Sequence, residues 1–188
     1  MPGERSVMRQ AKKEMSDKNG IEHVLHICQV GRIGTIGSDG YPMIKPLNFA
    51  YSEGKIYFHS AREGEKIEHI KRDPRVCFET DLPIALIKSK GSPCRADYLY
   101  RSVIIKGRAQ LVEDDSERLF GLRLLMKKYQ PEGGYGDFPE EKFRITGVVR
   151  IDIEEMVGKE DLGEGSVRET VVEALEKKAA LPIVLMRE

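Results

Sequence analysis

The sequence lacks four features that would each point to a class of protein. It has no tryptophan, only three cysteines, no excess of either charge and no long apolar run. Its 31 basic and 31 acidic residues give a formal net charge of +0, so no overall field attracts nucleic acid or an acidic membrane surface. No apolar stretch approaches the roughly 20 residues of a membrane helix. We therefore expect neither nucleic acid nor a membrane as a partner.

The few cysteines also limit the chemistry. Cys28, Cys77 and Cys94 are odd in number and widely separated, without the paired spacing of a zinc site or a disulfide framework. We expect free thiols and no metal. The first residues are polar and contain no apolar region typical of a signal peptide, which predicts a cytoplasmic protein.

The most informative stretch runs from Tyr41 to Asp81. Residues 43–51 and 55–59 alternate between apolar and polar side chains around a turn at Ser52-Glu53-Gly54-Lys55, which predicts a hairpin. A helix should follow, with Ile67 and Ile70 as its apolar stripe, and Asp73-Pro74 should end it. Residues 75–80 return to a strand.

The start of that helix is a candidate anion site. A helix start exposes unpaired N–H groups at the positive end of the helix dipole, where a phosphate is favoured. Ser60 and Gly64 lie just ahead of it, Arg62 lies between them, and Lys66 falls in the first turn. The alternative stays open at this point, because serine and glycine are common helix caps and surface cations are usually solvated.

A longer pattern adds to this local chemistry. The order PxxxPLNFxYxxGxIYFHSAxEGxKIxxIxxxPRVCFE, from Pro42 to Glu79, resembles the FMN-binding split-barrel superfamily named after pyridoxamine phosphate oxidase, and within it the branch of nitroimidazole-resistance proteins. The resemblance covers roughly residues 15–158. It implies a mainly β fold with peripheral helices, an antiparallel six-stranded split β-barrel. It also implies FMN as cofactor and a homodimer with one FMN at each end of the subunit interface.

The resemblance also implies the site residues, which come from three places. One strand flanks the isoalloxazine and the phosphate through Lys45, Pro46, Leu47 and Asn48. The next strand end and helix hold the ribityl phosphate through His59, Ser60, Arg62 and Lys66. The start of a later strand reaches the cofactor across the subunit interface through Tyr100, Arg101 and Ser102. A solvated Lys45 and a Tyr100 that only packs remain alternatives.

His59 is the catalytic candidate, because an imidazole can exchange a proton near neutral pH. A histidine that only hydrogen-bonds to the cofactor or the backbone is the alternative. The function implied is an FMN-dependent oxidoreductase acting on a small aromatic acceptor such as a nitroaromatic. A non-catalytic flavin- or haem-binding protein, with His59 or His69 as haem ligand, and a deazaflavin-dependent enzyme are further alternatives. Pyridoxamine phosphate oxidase activity is not expected, because the tryptophan and arginine-rich strand of its substrate motif are absent.

The remaining segments predict one domain with two additions. These are a flexible arm at 1–14, the barrel at 15–158 and a helical extension at 159–188. Within them the sequence predicts a helix after Ser16 or Asp17, a strand at 30–38, an irregular loop at 82–97, a strand at 98–112, a helix from Asp114 or Asp115 to Tyr129, a strand at 143–156 and a helix around 171–178. The apolar tail at 181–186 should dock on the barrel or on a partner subunit.

Overall fold

The computed structural model describes residues 11–187, which form a mostly antiparallel sheet with helices around it, so the predicted fold class is confirmed. The strands are β1 (Glu14–Met15), β2 (Gly31–Ile36), β3 (Pro42–Leu47), β4 (Ala50–Ser52), β5 (Lys55–Ala61), β6 (Arg75–Ser89), β7 (Asp97–Leu111), β8 (Thr146–Asp161) and β9 (Ile183–Arg187). The helices are α1 (Lys18–Ile27), α2 (Glu65–Arg72), α3 (Asp115–Tyr129), α4 (Glu140–Ile145) and α5 (Gly165–Glu176).

The sheet has nine strands rather than the six expected, and it is not closed. Its path runs β3-β2-β6-β7-β8-β5-β4, with β1 added on β8 and β9 added on β6. The strands pair antiparallel except for β9, which is parallel to β6. Because β3 and β4 end this path, each has one free edge, and these edges matter for the site.

Three apolar clusters hold the fold together. The largest fills the inside of the sheet around the fully buried rings of Phe49, Phe58 and Phe78. The predicted apolar phase of β7 contributes to it, as Val103 and Ile105 are also fully buried. A second cluster lies under α3 and a third under α5. The helices α3 and α5 therefore each cover one part of the sheet.

The segment predicted as one strand at 43–51 is two strands. The chain breaks between β3 and β4 because the Tyr129 hydroxyl accepts a hydrogen bond from the Phe49 N–H at 2.9 Å and lies 2.5 Å from the Gln29 carbonyl oxygen. β3 pairs with β2, and the hairpin consists of β4 and β5 alone. Its turn needs positive φ at Glu53 and Gly54, as the sequence indicated.

The irregular loop expected at 82–97 is mostly strand, and that prediction is wrong. β6 continues to Ser89, with a bulge between Pro83 and Ala85 that accommodates the proline. Ile84 and Ile87 are buried because α5 covers them. The strand expected at 143–156 begins only at Thr146, and residues 143–145 belong to α4. Arg118 donates hydrogen bonds to the carbonyl oxygens of Phe143 and Thr146 at the end of this helix.

The two terminal additions behave differently. Of the predicted arm, residues 1–10 lie outside the described residues, and Glu14 and Met15 pair with β8. The C-terminal tail docks on its own sheet as β9, alongside residues 85–89 of β6. No helix within residues 11–187 is long and apolar enough to cross a membrane.

Candidate active site

The start of α2 differs from the starts of the two longer helices nearby. Asp17 caps α1 by accepting from the amides of Asn19 and Gly20, and Asp114 caps α3 by accepting from the amide of Glu117. The N-cap of α2 is Gly64, at φ +113°, and no side chain in the described part of the chain accepts from its first-turn amides. The N-caps of α4 and α5 also lack such a bond. What sets α2 apart is therefore the cations beside it.

Two lysines meet at this helix start. Lys66 is half-buried, and its Nζ lies 4.7 Å from the centroid of the Phe58 ring. Burial, and secondarily the positive charge of Lys45, lowers the pKa of Lys66. Within residues 11–187 no carboxylate forms an ion pair with Lys66, whereas Lys45 Nζ lies 2.9 Å from Glu65 Oε2. The site therefore holds a partly desolvated cation without an anionic partner.

Glu65 is a residue that sequence reasoning missed. It is the first residue of α2, it is exposed, and its bond to Lys45 lowers the pKa of its carboxyl group. An acidic residue in the first turn of a helix is ordinary, since it complements the helix dipole. Only the structure shows that the Glu65 carboxylate forms an ion pair with Lys45 of β3, a lysine beside the same opening.

The opening in the sheet lies beside α2. β3 pairs only with β2, and β4 stops opposite Tyr57, so the last residues of β5 also have one free edge. Ser60 follows Phe58 by two residues and so shares its face of β5. Ser60 therefore lies on the face of β5 whose Phe58 ring Lys66 contacts, and Lys45 reaches the start of α2 through Glu65.

The neighbours on β3 divide by phase. Lys45 and Leu47 lie opposite Ile33 and Gly31 of β2, on the side of the core, while Pro46 lies on the outer side. Asn48 follows the strand and is half-buried in the break before β4. The four predicted residues of this segment therefore flank the opening from different sides.

Arg62 lies close by but is already engaged. Its guanidinium donates to Glu113 at 2.8 Å, and Glu113 is exposed. A Cβ on Gly147 would meet the Arg62 side chain at 3.3 Å, so Arg62 runs along the start of β8. A contact from Arg62 to a ligand beside Lys66 would require it to leave Glu113.

The structure does not bring His59 together with Ser60. Adjacent residues of a strand point to opposite faces, so His59 lies on the Tyr57 side of β5, which α3 covers further along. His59 is exposed and sits opposite Val148. His69 is buried, and its Nδ1 lies 3.1 Å from the Thr35 Oγ1. That contact engages one of the two ring nitrogens of His69, the other histidine predicted as a haem ligand.

Tyr100, Arg101 and Ser102 pair with the other end of β8 from the residues at this opening. Ser60 is opposite Gly147, whereas Tyr100 is opposite Asp161. Arg101 pairs with Glu160 at 3.0 Å. The structure therefore separates these two sets of predicted contacts along β8.

Two further concave surfaces lie away from the opening. One, of about 530 Å³, lies between α1 and α3, where burial lowers the pKa of Lys128 to about 8 and Tyr51 donates to Glu22. The other, of about 470 Å³, lies on the outer face of β2, β3, β6 and β7, and includes Ile36, Ile44 and Cys77.

Residues 17–160 match the sequence model of the pyridoxamine 5'-phosphate oxidase family. The chain belongs to this family. Among proteins with curated functions, none matches the sequence significantly. The predicted split-barrel membership is confirmed, and the match stops before α5 and β9.

Solved structures agree with this assignment. A candidate 5-nitroimidazole antibiotic resistance protein from Bacteroides thetaiotaomicron is 26% identical with a TM-score of 0.69, over 78% of this chain and 85% of that one. An FAD-binding protein from Mesorhizobium loti is 26% identical with a TM-score of 0.55, over 77% and 95%. A flavocytochrome from Azotobacter vinelandii, 19% identical, has a TM-score of 0.75 over 90% and 80%, which shows a shared fold.

Proposed function

We propose that the protein binds FMN in the opening beside α2 and passes its electrons to a small aromatic acceptor, as a homodimer. The observation that carries the proposal is the half-buried Lys66 ammonium, which has no carboxylate partner in the described part of the chain and faces the uncapped start of α2. A buried cation without a counter-ion is costly unless a ligand supplies the charge.

A phosphate monoester fits these residues. Burial, and secondarily repulsion by Lys45, lowers the pKa of Lys66, and a dianion between the two ammonium groups would add an attraction to each. The first-turn amides of α2 and the hydroxyl of Ser60 would donate to its oxygens. Glu65 would have to release Lys45, because the carboxylate and the phosphate compete for the same ammonium group.

A bound flavin would supply the electron-transfer chemistry, and the chain would supply binding and orientation. The free edge of β3 and the exposed Pro46 lie where an attached ring system would extend from the phosphate. The two solved structures at 26% identity support this proposal, since one is described as FAD-binding and the other as a candidate nitroimidazole resistance protein. We propose FMN because Lys45, Lys66, Ser60 and the first-turn amides of α2 would bind one terminal phosphate.

We include a homodimer in the proposal because the two sets of predicted contacts pair with opposite ends of β8. Tyr100, Arg101 and Ser102 would then contact the cofactor bound by a second copy. The outer face of β2, β3, β6 and β7 suits such a contact, because Ile36, Ile44 and Ile104 are 44%, 69% and 49% exposed there. The apolar face would be covered when two copies meet.

His59 is proposed as a proton donor to the acceptor rather than as a phosphate ligand. Its imidazole is exposed and lies on the other face of β5 from Ser60, so it is free to meet a molecule that approaches from outside. The proposal requires the acceptor to reach that face.

The absorption spectrum of the purified protein tests the proposal. We expect oxidised-flavin bands, FMN by mass after denaturation, and a dimer by light scattering. A Soret band would identify the bound cofactor as haem. A released compound with the mass of a deazaflavin would identify it as that cofactor. A colourless protein that takes up none of them would contradict the proposal.

A further inference from the structure

β9 is anchored firmly and yet presents apolar side chains to the outside. Its pairing with β6 fixes one edge, and Ile183 and Leu185 pack into the cluster under α5. Val184 and Met186 point to the opposite face and are 56% and 54% exposed. Exposed apolar side chains that form a contiguous patch often mark a contact surface.

Val184 belongs to a row of side chains that crosses three strands. It lies opposite Leu86 of β6, and Leu86 lies opposite Tyr98 of β7. Residues directly opposite in neighbouring strands point to the same face, and all three are at least 37% exposed. Tyr98 is followed on the same face by Tyr100 and then Ser102, at intervals of about 7 Å.

We propose that this row, Val184, Leu86 and Tyr98 with Met186 beside it, forms the wall of the acceptor pocket over the flavin of the second copy, and that it selects flat, neutral aromatic acceptors. The inference rests on the proposed function. If Tyr100 and Ser102 contact the partner's flavin, the row beside them lies next to the same ring. Aliphatic side chains and a tyrosine ring stack on planar aromatics.

The surroundings of the row favour this occupant. The same sheet face continues through Ile104 to the apolar surface where we expect the second copy, so the row lies at one end of that contact. α5 covers the reverse face of these strands. Lys88 lies opposite Met186 and is exposed, which places a positive charge at the end of the row and disfavours cationic acceptors.

The experiment uses the full-length flavoprotein with Val184→Asp. The bound flavin is photoreduced without oxygen and mixed rapidly with 4-nitroacetophenone, and its reoxidation is followed by absorbance. Each nitro group takes two electrons and two protons and becomes a nitroso group and water. We expect the half-saturating concentration to rise about tenfold, because the new carboxylate must lose its hydration against the acceptor. Flavin affinity and reoxidation by dioxygen should be unchanged.

Ile27→Asp is the matched control, since Ile27 is a 42% exposed aliphatic residue at the end of α1. It should show the same half-saturating concentration as the unmodified protein. If Val184→Asp does not fold, Met186→Ser is used in its place. It should also raise the half-saturating concentration of 4-nitroacetophenone.

Four results would overturn the inference. Unchanged saturation with 4-nitroacetophenone in Val184→Asp would remove the row from the pocket. Loss of flavin from this variant would show that the row holds the cofactor instead. A flavoprotein that 4-nitroacetophenone does not reoxidise would overturn the acceptor assignment, while a protein that binds no flavin would overturn the proposed function with it.

Discussion

α2 and α3 begin in opposite ways. Asp114 closes the start of α3 with its own carboxylate, at 2.8 Å from the Glu117 amide, so that end needs no ligand. The start of α2 has glycine at the N-cap and two lysines nearby, so its first amides and the half-buried ammonium group of Lys66 remain available to a ligand. The same local element thus serves stability in one place and, we propose, binding in the other.

The comparison predicts its largest effect for Lys66→Ala. Loss of a charge-assisted phosphate contact should weaken FMN binding by about 1.5–3 kcal/mol, measured by flavin fluorescence titration. Lys71→Ala is the control, because Lys71 is on the same helix but is exposed and paired with Glu68. An FMN dissociation constant equal to that of the unmodified protein would exclude Lys66 from the site.

The lowered pKa of Lys66 adds a pH dependence. Burial favours the neutral amine, so the free protein loses this proton at a lower pH than an ordinary lysine does. FMN affinity should therefore fall as the pH rises through that lowered pKa, and it should recover at lower pH. Lys66→Arg should keep its affinity into the alkaline range, because arginine stays charged. Identical alkaline profiles for the two proteins would count against a contact from Lys66.

Asp114→Ala should do the reverse of Lys66→Ala. Removing the cap should lower the free energy of unfolding by about 1 kcal/mol, measured by urea denaturation, and leave FMN affinity unchanged. Asp137→Ala, a change of an exposed acidic residue outside any helix, should leave stability unchanged. A loss of FMN affinity in Asp114→Ala would show that the two helix starts are not independent.

Glu65→Gln should have a smaller effect on FMN affinity, in the opposite direction to that of Lys66→Ala. It removes the carboxylate that competes for Lys45, so FMN binding should tighten about threefold, since exposed ion pairs are weak. Glu68→Gln changes an acid in the same turn that pairs with Lys71 instead, and it should have no effect. Weaker FMN binding in Glu65→Gln would mean that Glu65 helps to hold the ligand.

The smallest effect on binding is expected for His59→Ala. Because His59 and Ser60 point to opposite faces of β5, flavin affinity should stay within about twofold. Turnover of a nitroaromatic should fall by a factor of about 100 if the imidazole donates the proton. Equal losses of flavin and of turnover would instead identify His59 as a cofactor ligand.

Part of the fold follows from interactions between residues that are close in the sequence. The cap at Asp17, the end of α2 before Asp73-Pro74 and the turn at Glu53-Gly54 all depend on neighbours within a few residues, and each was predicted. Residues 82–89 were not, because Pro83 and the following loop signals suggested an irregular segment. Pairing with β7 and β9 and cover from α5 make them a strand, and these partners are distant in the sequence.

The site divides in the same way. Spacing along one strand and one helix turn is enough to place a serine, a glycine and two cations near a helix start. The ion pair of Glu65 with Lys45, the outward direction of His59 and the pairing of Tyr100 to Ser102 with the end of β8 come from the fold. Those relations depend on strand register and on the pairing of distant segments. Spacing along the sequence does not specify either of them.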